Sequence, residues 1–130
     1  MKALLVACAI IVEDNKVLIT QRGPHKSEPY KWEFPGGKVE KSETPEDCIC
    51  REILEELNLN ISVTGKLTVA EFRAGTTAIT LIPFLAKRMS GSIVLREHIS
   101  YKWCTIKELS AYSWSPADLP VIAELKKLSE

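Results

Sequence analysis

Three carboxylates, Glu52, Glu55 and Glu56, stand in the run Arg51-Glu52-Ile53-Leu54-Glu55-Glu56-Leu57. A helix turns about 100° per residue, so Glu55 and Glu56 each fall within about 60° of Glu52 on one helical face. Like charges at that spacing repel and weaken an isolated helix. A cation between them removes the penalty, and carboxylate oxygens are what a hard ion such as Mg²⁺ takes. The chemistry such a cluster suits is metal-assisted attack on a phosphate-bearing substrate; the alternative is a solvated acidic face. Arg51 stands four residues before Glu55 and can pair with it, either to orient the glutamates or as a surface pair worth little.

The cluster needs a helix to present it, and the flanking residues specify one. Thr44 is an N-cap, Pro45 fits the first helical position, and Asp47 completes a capping box. The helix should run from Pro45 to Leu57, burying Cys48, Ile49, Ile53 and Leu57. Asn58 can end it, because asparagine tolerates the left-handed conformation of a helix stop. Ahead of the helix, residues 3–12 read as a core strand, 13–16 as a turn and 17–20 as a second strand of a hairpin. Trp32-Glu33-Phe34 is a short extended piece, broken by Pro35-Gly36-Gly37. Stretches 62–72, 78–87, 92–95 and 101–105 are strand-like. Residues 107–111 suggest a helical turn, and 117–128 a final helix with Ile122, Leu125 and Leu128 on one side. A mixed sheet carrying two main helices in three layers, an α/β sandwich, follows.

Bulk properties narrow the class. The chain has 130 residues, 45% hydrophobic and 26% charged, which suits a single domain spanning 1–130. Lys+Arg and Asp+Glu are each 17, so no long-range attraction to a nucleic-acid polymer is expected. Met1-Lys2 and the apolar residues after it resemble a secretory start. Only Ala3 to Ala7 precede Cys8, however, short of the roughly 7–15 apolar residues a signal needs, so the run is read as a buried strand. No stretch approaches the roughly 18 apolar residues of a membrane span. Cys8, Cys48, Cys50 and Cys104 lack zinc-like spacing with His25 or His98, so four reduced thiols and a cytoplasmic setting are expected.

The segment Gly37-x5-Glu43-x7-Arg51-Glu52-Ile53-Leu54-Glu55-Glu56-Leu57-Asn58-Leu59 resembles the signature box of the Nudix hydrolases, with Asn58 where that box has a glycine. Trp32 to Lys38 and Pro116-Ala117-Asp118-Leu119-Pro120 extend the resemblance towards the MutT-like branch, including its 8-oxo-dGTP diphosphatase and CTP pyrophosphohydrolase types. The resemblance implies a Nudix-type α/β/α sandwich. It also implies Mg²⁺, or Mn²⁺, held on a diphosphate by Glu52, Glu55, Glu56 and the Gly36 carbonyl. Glu97 matches a position that supplies a further metal-binding glutamate, and either it or Glu52 would be the general base. Arg51 would orient the glutamates and Glu43 brace the loop. Arg22, and less directly Lys38, would contact phosphate. His98 is read as structural or exposed.

By the same resemblance, Phe34 lines the nucleoside pocket and Asp118 touches the base edge, or else Asp118 is a charge at a helix start. An ionised aspartate only accepts hydrogen bonds, which suits an amino group such as cytosine N4 or the N7–H of 8-oxoguanine. Trp114 and Trp32 could stack on a base or pack, with packing favoured for Trp32. Thr77 departs from the arginine found there in MutT-like proteins. The expected reaction is Mg²⁺-dependent hydrolysis of a nucleoside triphosphate, cytidine-type or oxidised, to the monophosphate and pyrophosphate. The alternatives are a hydrolase of another nucleoside diphosphate derivative and a non-catalytic ligand-binding domain.

Overall fold

The computed structural model describes residues 2–130. Strand β1, Lys2–Glu13, is the axis of the sheet. Its residues alternate between two hydrophobic clusters: Cys8 and Ile10 enter one, and Ala7, Ala9 and Ile11 the other. Because both faces are covered, β1 reads as an unbroken apolar run rather than an alternating one. Asp14 and Asn15, with φ of 52° and 62°, make the left-handed tight turn that a two-residue hairpin favours. The chain returns along β2, Lys16–Gln21.

Two short strands follow, β3 at Trp32–Glu33 and β4 at Gly36–Lys38. The Pro-Gly-Gly stretch was expected to break the chain. Instead Gly36 to Lys38 pair antiparallel with Cys8 to Val6 of β1. The physical reason is space: a Cβ on Gly36 would overlap the Ala7 carbonyl oxygen, so only glycine allows this approach.

Helix α1 covers Pro45–Leu57 as expected. The Thr44 hydroxyl accepts the Asp47 N–H at 3.1 Å. Asn58 adopts φ 62° and its N–H returns to the Leu54 carbonyl at 3.0 Å. Cys48, Ile49, Ile53 and Leu57 are fully buried against the sheet.

The stretch expected as one strand over 62–72 is two, β5 at Asn60–Lys66 and β6 at Ala70–Ala74, both antiparallel to β7 at Thr77–Ser90. Between them Glu124 takes the N–H and hydroxyl of Thr68 at 2.9 and 3.0 Å, drawing the chain off the ladder. The stretch 92–95 is not a strand. Val94 donates to Leu57 O and Arg96 to Glu56 O, at 3.0 and 3.1 Å, so this segment closes the carbonyl end of α1, whose last turn has no internal partners.

Strand β8, Ser100–Cys104, pairs with β2. A 3-10 turn over Lys107–Ala111 and another over Pro116–Asp118 lead into α2, Leu119–Leu128. The final α-helix therefore starts after Ala117, and it buries Val121, Ile122 and Leu125 while Leu128 is exposed at its end. The sheet is mixed: β1 and β7 run parallel and the other pairs antiparallel. With α1 packed in one cluster and α2 in the other, the layers are α/β/α. All four cysteines are free thiols. Among the described residues, no helix is long and apolar enough to cross a membrane.

The left-handed stop at Asn58 yields a stability test. A left-handed residue with a Cβ costs about 1–2 kcal/mol unless it is Gly, Asn or Asp. Asn58→Ala should therefore lower the urea unfolding free energy by about that amount, whereas Asn58→Gly should stay close to wild type.

Candidate functional site

The exposed edge of α1 faces β4 across a narrow gap. Gly37 lies directly over the Glu52 carboxylate, and a Cβ there would overlap it. Arg51 organises the edge. Its Nε and Nη2 reach both oxygens of Glu43 at 2.9 and 2.6 Å. Its Nη1 reaches Glu52 at 3.0 Å and Glu55 at 3.2 Å, and Nη2 also approaches the Lys38 carbonyl at 3.4 Å. Through the Arg51 hydrogen bond, Glu43 is held down at about 2. Glu43 also accepts the Glu40 N–H at 2.9 Å, which ties the loop before α1 to the helix.

Behind this ionic edge, compensation runs out. Burial raises the Glu52 carboxyl, and the bonds from Arg51 counter it only in part. Glu56 is 7% exposed, and its Oε1 is buried with no hydrogen-bond partner among the described residues. Burial first, then the charges of Glu52 and Glu97, push its carboxyl up to about 9. Glu97 comes close because the segment closing α1 ends beside it; its charge bears on Glu56, and it lies 4.0 Å from the Lys26 ammonium.

These residues line a cleft of about 350 Å³, together with Arg22, Gly23, Lys26, Glu33, Gly36, Gly37, Lys38 and His98. Among the described residues, no three His, Cys, Asp or Glu side chains stand together in an arrangement that could already hold a metal ion. The donor chemistry nonetheless fits a hard divalent cation. The side chains offered are carboxylates with oxygen donors, and the buried Glu56 oxygen without a hydrogen-bond partner among the described residues is a donor that a cation would satisfy.

A second cavity of about 540 Å³ adjoins the first and shares Arg22, Glu33, Gly36, Gly37 and Lys38 with it. Phe34, Cys8, Phe72, Ile79 and Leu81 give it apolar walls, and Asp118 is its buried polar residue. Asp118 stands at the N-cap position of α2, but its side chain makes no capping hydrogen bond there. Burial, then the charge of Glu33, raises its carboxyl well above the usual range, while Arg22 and the Phe34 N–H counter only partly. Burial likewise keeps the Cys8 thiol neutral.

Of the expected residues, Glu52, Glu55, Glu56, Glu97, Arg22, Lys38 and Gly36 meet in the first cleft, and Phe34 and Asp118 in the adjoining cavity. Arg51 sits behind the cleft rather than in its lining, bonded to three of the glutamates. Both candidate stacking residues pack. Trp114 donates Nε1–H to Leu109 O at 2.7 Å and leans on Phe34, with ring centroids 5.2 Å apart; Trp32 packs edge-on against Tyr112. His98 is 5% exposed and bonds to Glu33, so it is structural rather than exposed. Glu33 escaped the sequence reading, although its place beside Phe34 offered a signal. Phe72, Ile79 and Leu81 also escaped it, since apolar strand residues look the same whether they line a cavity or fill a core.

Comparison with known proteins accords with this architecture. The family model described as NUDIX domain matches residues 1–125. The chain is 36% identical over 129 residues to the 8-oxo-dGTP diphosphatase of Escherichia coli (strain K12), covering 98% of this chain and 100% of that one. It is 32% identical over 122 residues to the CTP pyrophosphohydrolase of the same organism, covering 94% and 90%. The solution structure of the E. coli ORF135 protein superposes with a TM-score of 0.87 at 30% identity, covering 99% of this chain and 92% of that one. The chain therefore belongs to the NUDIX family of hydrolases.

Proposed function

We propose that this protein is a Mg²⁺-dependent hydrolase that converts a nucleoside triphosphate, cytidine-type or carrying an oxidised base such as 8-oxo-dGTP, to the monophosphate and pyrophosphate. The observation that carries the reading is the shared wall between the two cavities: Arg22, Glu33, Gly36, Gly37 and Lys38 line both. A base in the larger cavity can thus extend its phosphates past β4 towards Glu52 and Glu56. The names of the two E. coli relatives support both substrate types.

Glu52, Glu55, Glu56, Glu97 and the Gly36 carbonyl would hold the metal. Bound there, Mg²⁺ (or Mn²⁺) supplies neutralisation of the polyphosphate charge and acidification of water. Arg51 and Glu43 keep the helix carboxylates aimed, while Arg22 and Lys38 face the phosphates. Glu52 or Glu97 takes the proton from the attacking water. Phe34 walls the base, and Asp118 reads its edge, accepting from an amino group or from the N7–H of an oxidised guanine.

The assay that tests this reading is Mg²⁺-dependent pyrophosphate release from CTP, dCTP, 5-methyl-dCTP, 8-oxo-dGTP and 2-hydroxy-dATP. Cytidine or oxidised nucleotides should be preferred, and preference for an unmodified purine would sink the Asp118 assignment. Glu55→Gln or Glu56→Gln should each lower kcat at saturating Mg²⁺ by on the order of 100-fold; unchanged release would remove these residues from the metal site.

The same carboxyl generates a stability prediction. The Glu56 value rises from 4.5 to about 9 on folding. Between those limits the unfolded chain is ionised while the folded one holds its proton, so stability falls as pH rises through that window. In EDTA, the Tm of Glu56→Gln should match wild type near the lower limit and exceed it by a growing margin towards the upper one. A margin independent of pH would show that Glu56 is not strained in the metal-free fold.

A further inference from the structure

Three polar side chains meet over the end of β2. That strand lies between β3 and β8: Thr20 pairs with Glu33 on one side and Tyr101 on the other, and Gln21 with Trp32 and Ser100. Neighbouring strands are about 4.8 Å apart, so groups on β3 and before β8 meet only by reaching over the strand between them. Glu33 makes that reach. One carboxylate oxygen takes Arg22 Nη1 at 2.7 Å, and the other takes His98 Nε2 at 2.9 Å. The remaining Arg22 nitrogens are fixed by Ser27, with Nε on its carbonyl at 2.6 Å and Nη2 on its hydroxyl at 3.0 Å.

We propose that Glu33 is a positioning residue, a carboxylate clamp that ties the Arg22 guanidinium to the loop bearing Glu97 so that the two sides of the cleft keep one spacing. What Arg22 and Glu97 act upon rests on the pyrophosphohydrolase reading; the clamp itself does not. His98 is the link to that loop. It is 5% exposed and neighbours Glu97, while Ile99 next to it is tied to β2 through its N–H on Gln21 O at 3.0 Å. Its Nδ1 has no partner among the described residues, so Glu33 alone fixes the ring by hydrogen bonding.

The clamp is distinct from the other carboxylates of the cleft. Both its oxygens are used by protein donors, which leaves it unsuited as metal ligand or base. It is not an ordinary surface pair either, since Arg22 and Glu33 are 20% and 18% exposed and both line the two cavities. An ionised carboxylate only accepts, so the proton lies on His98 Nε2. Glutamine at position 33 would keep the size but present an N–H₂ to one of two donors, breaking one arm.

The experiment joins spectroscopy to kinetics. In ¹⁵N-histidine protein, wild type should show His98 with Nε2 protonated, and Glu33→Gln should shift its tautomer balance while the backbone spectrum stays folded. Using the nucleotide that wild type turns over best, Glu33→Gln should lower kcat/KM by about 100-fold. Paired with Arg22→Ala, it should cost no more than Arg22→Ala alone, because both break one unit. Additive losses, or an unaltered His98 signal in Glu33→Gln, would overturn the clamp. Should Glu33→Gln not fold, His98→Leu, which has no donor, breaks the same bond from the other end and must also lose kcat/KM non-additively with Arg22→Ala. Wild type inactive on every nucleotide would overturn the pyrophosphohydrolase reading, and the His98 signal would then decide the clamp by itself.

Discussion

One guanidinium makes the rest of the site possible. Arg51 bonds to Glu43, Glu52 and Glu55 and approaches the backbone of β4. Without it, α1 would carry a band of mutually repelling charges along the edge that faces the sheet. With it, the near side of the cluster is settled and the far side is not. Glu56 and Glu52 remain raised by burial. That imbalance sets the cluster apart from a surface ion-pair network, in which opposite charges would cancel throughout.

The buried acids divide by partner rather than by depth. Burial would raise Glu33 too, but hydrogen bonds from His98 and Arg22 outweigh it and hold the carboxyl below its usual range. Asp118 and Glu56 have no such set of donors and rise. One group of carboxyls is thus held as fixed anions by protein donors, while the other is left with its charge uncompensated.

Much of this was legible in the sequence, and unevenly so. Helix α1 was fully specified because its signals are local: Thr44 and Pro45 at the start, Asn58 at the stop, and a buried stripe between. The gathering of its glutamates on one face followed from spacing, while their expected metal role came from the resemblance to the Nudix box. The strand β4 was hidden because glycines normally interrupt strands; its pairing depends on clearance from Ala7, a tertiary fact. Residues 92–95 carried a strand's composition but spend their N–H groups on the end of α1. The raised carboxyl of Asp118 depends on depth, and the bonding of Glu33 on a partner 65 residues away, neither of which is visible in a linear pattern.

The way the segment before Glu97 is fastened has a dynamic consequence. Val94 and Arg96 hold the last carbonyls of α1, and the Arg96 side chain adds bonds to Leu54 O and Glu55 O at 3.0 and 3.1 Å. Helix ends fray more readily than middles. Here fraying would release Glu56 and Glu97 in a single event, because the turn bearing the first is stitched to the strap bearing the second. The oxygens they offer are therefore gathered or scattered as a set, and a ligand that bridges them would lock the end of α1 into register.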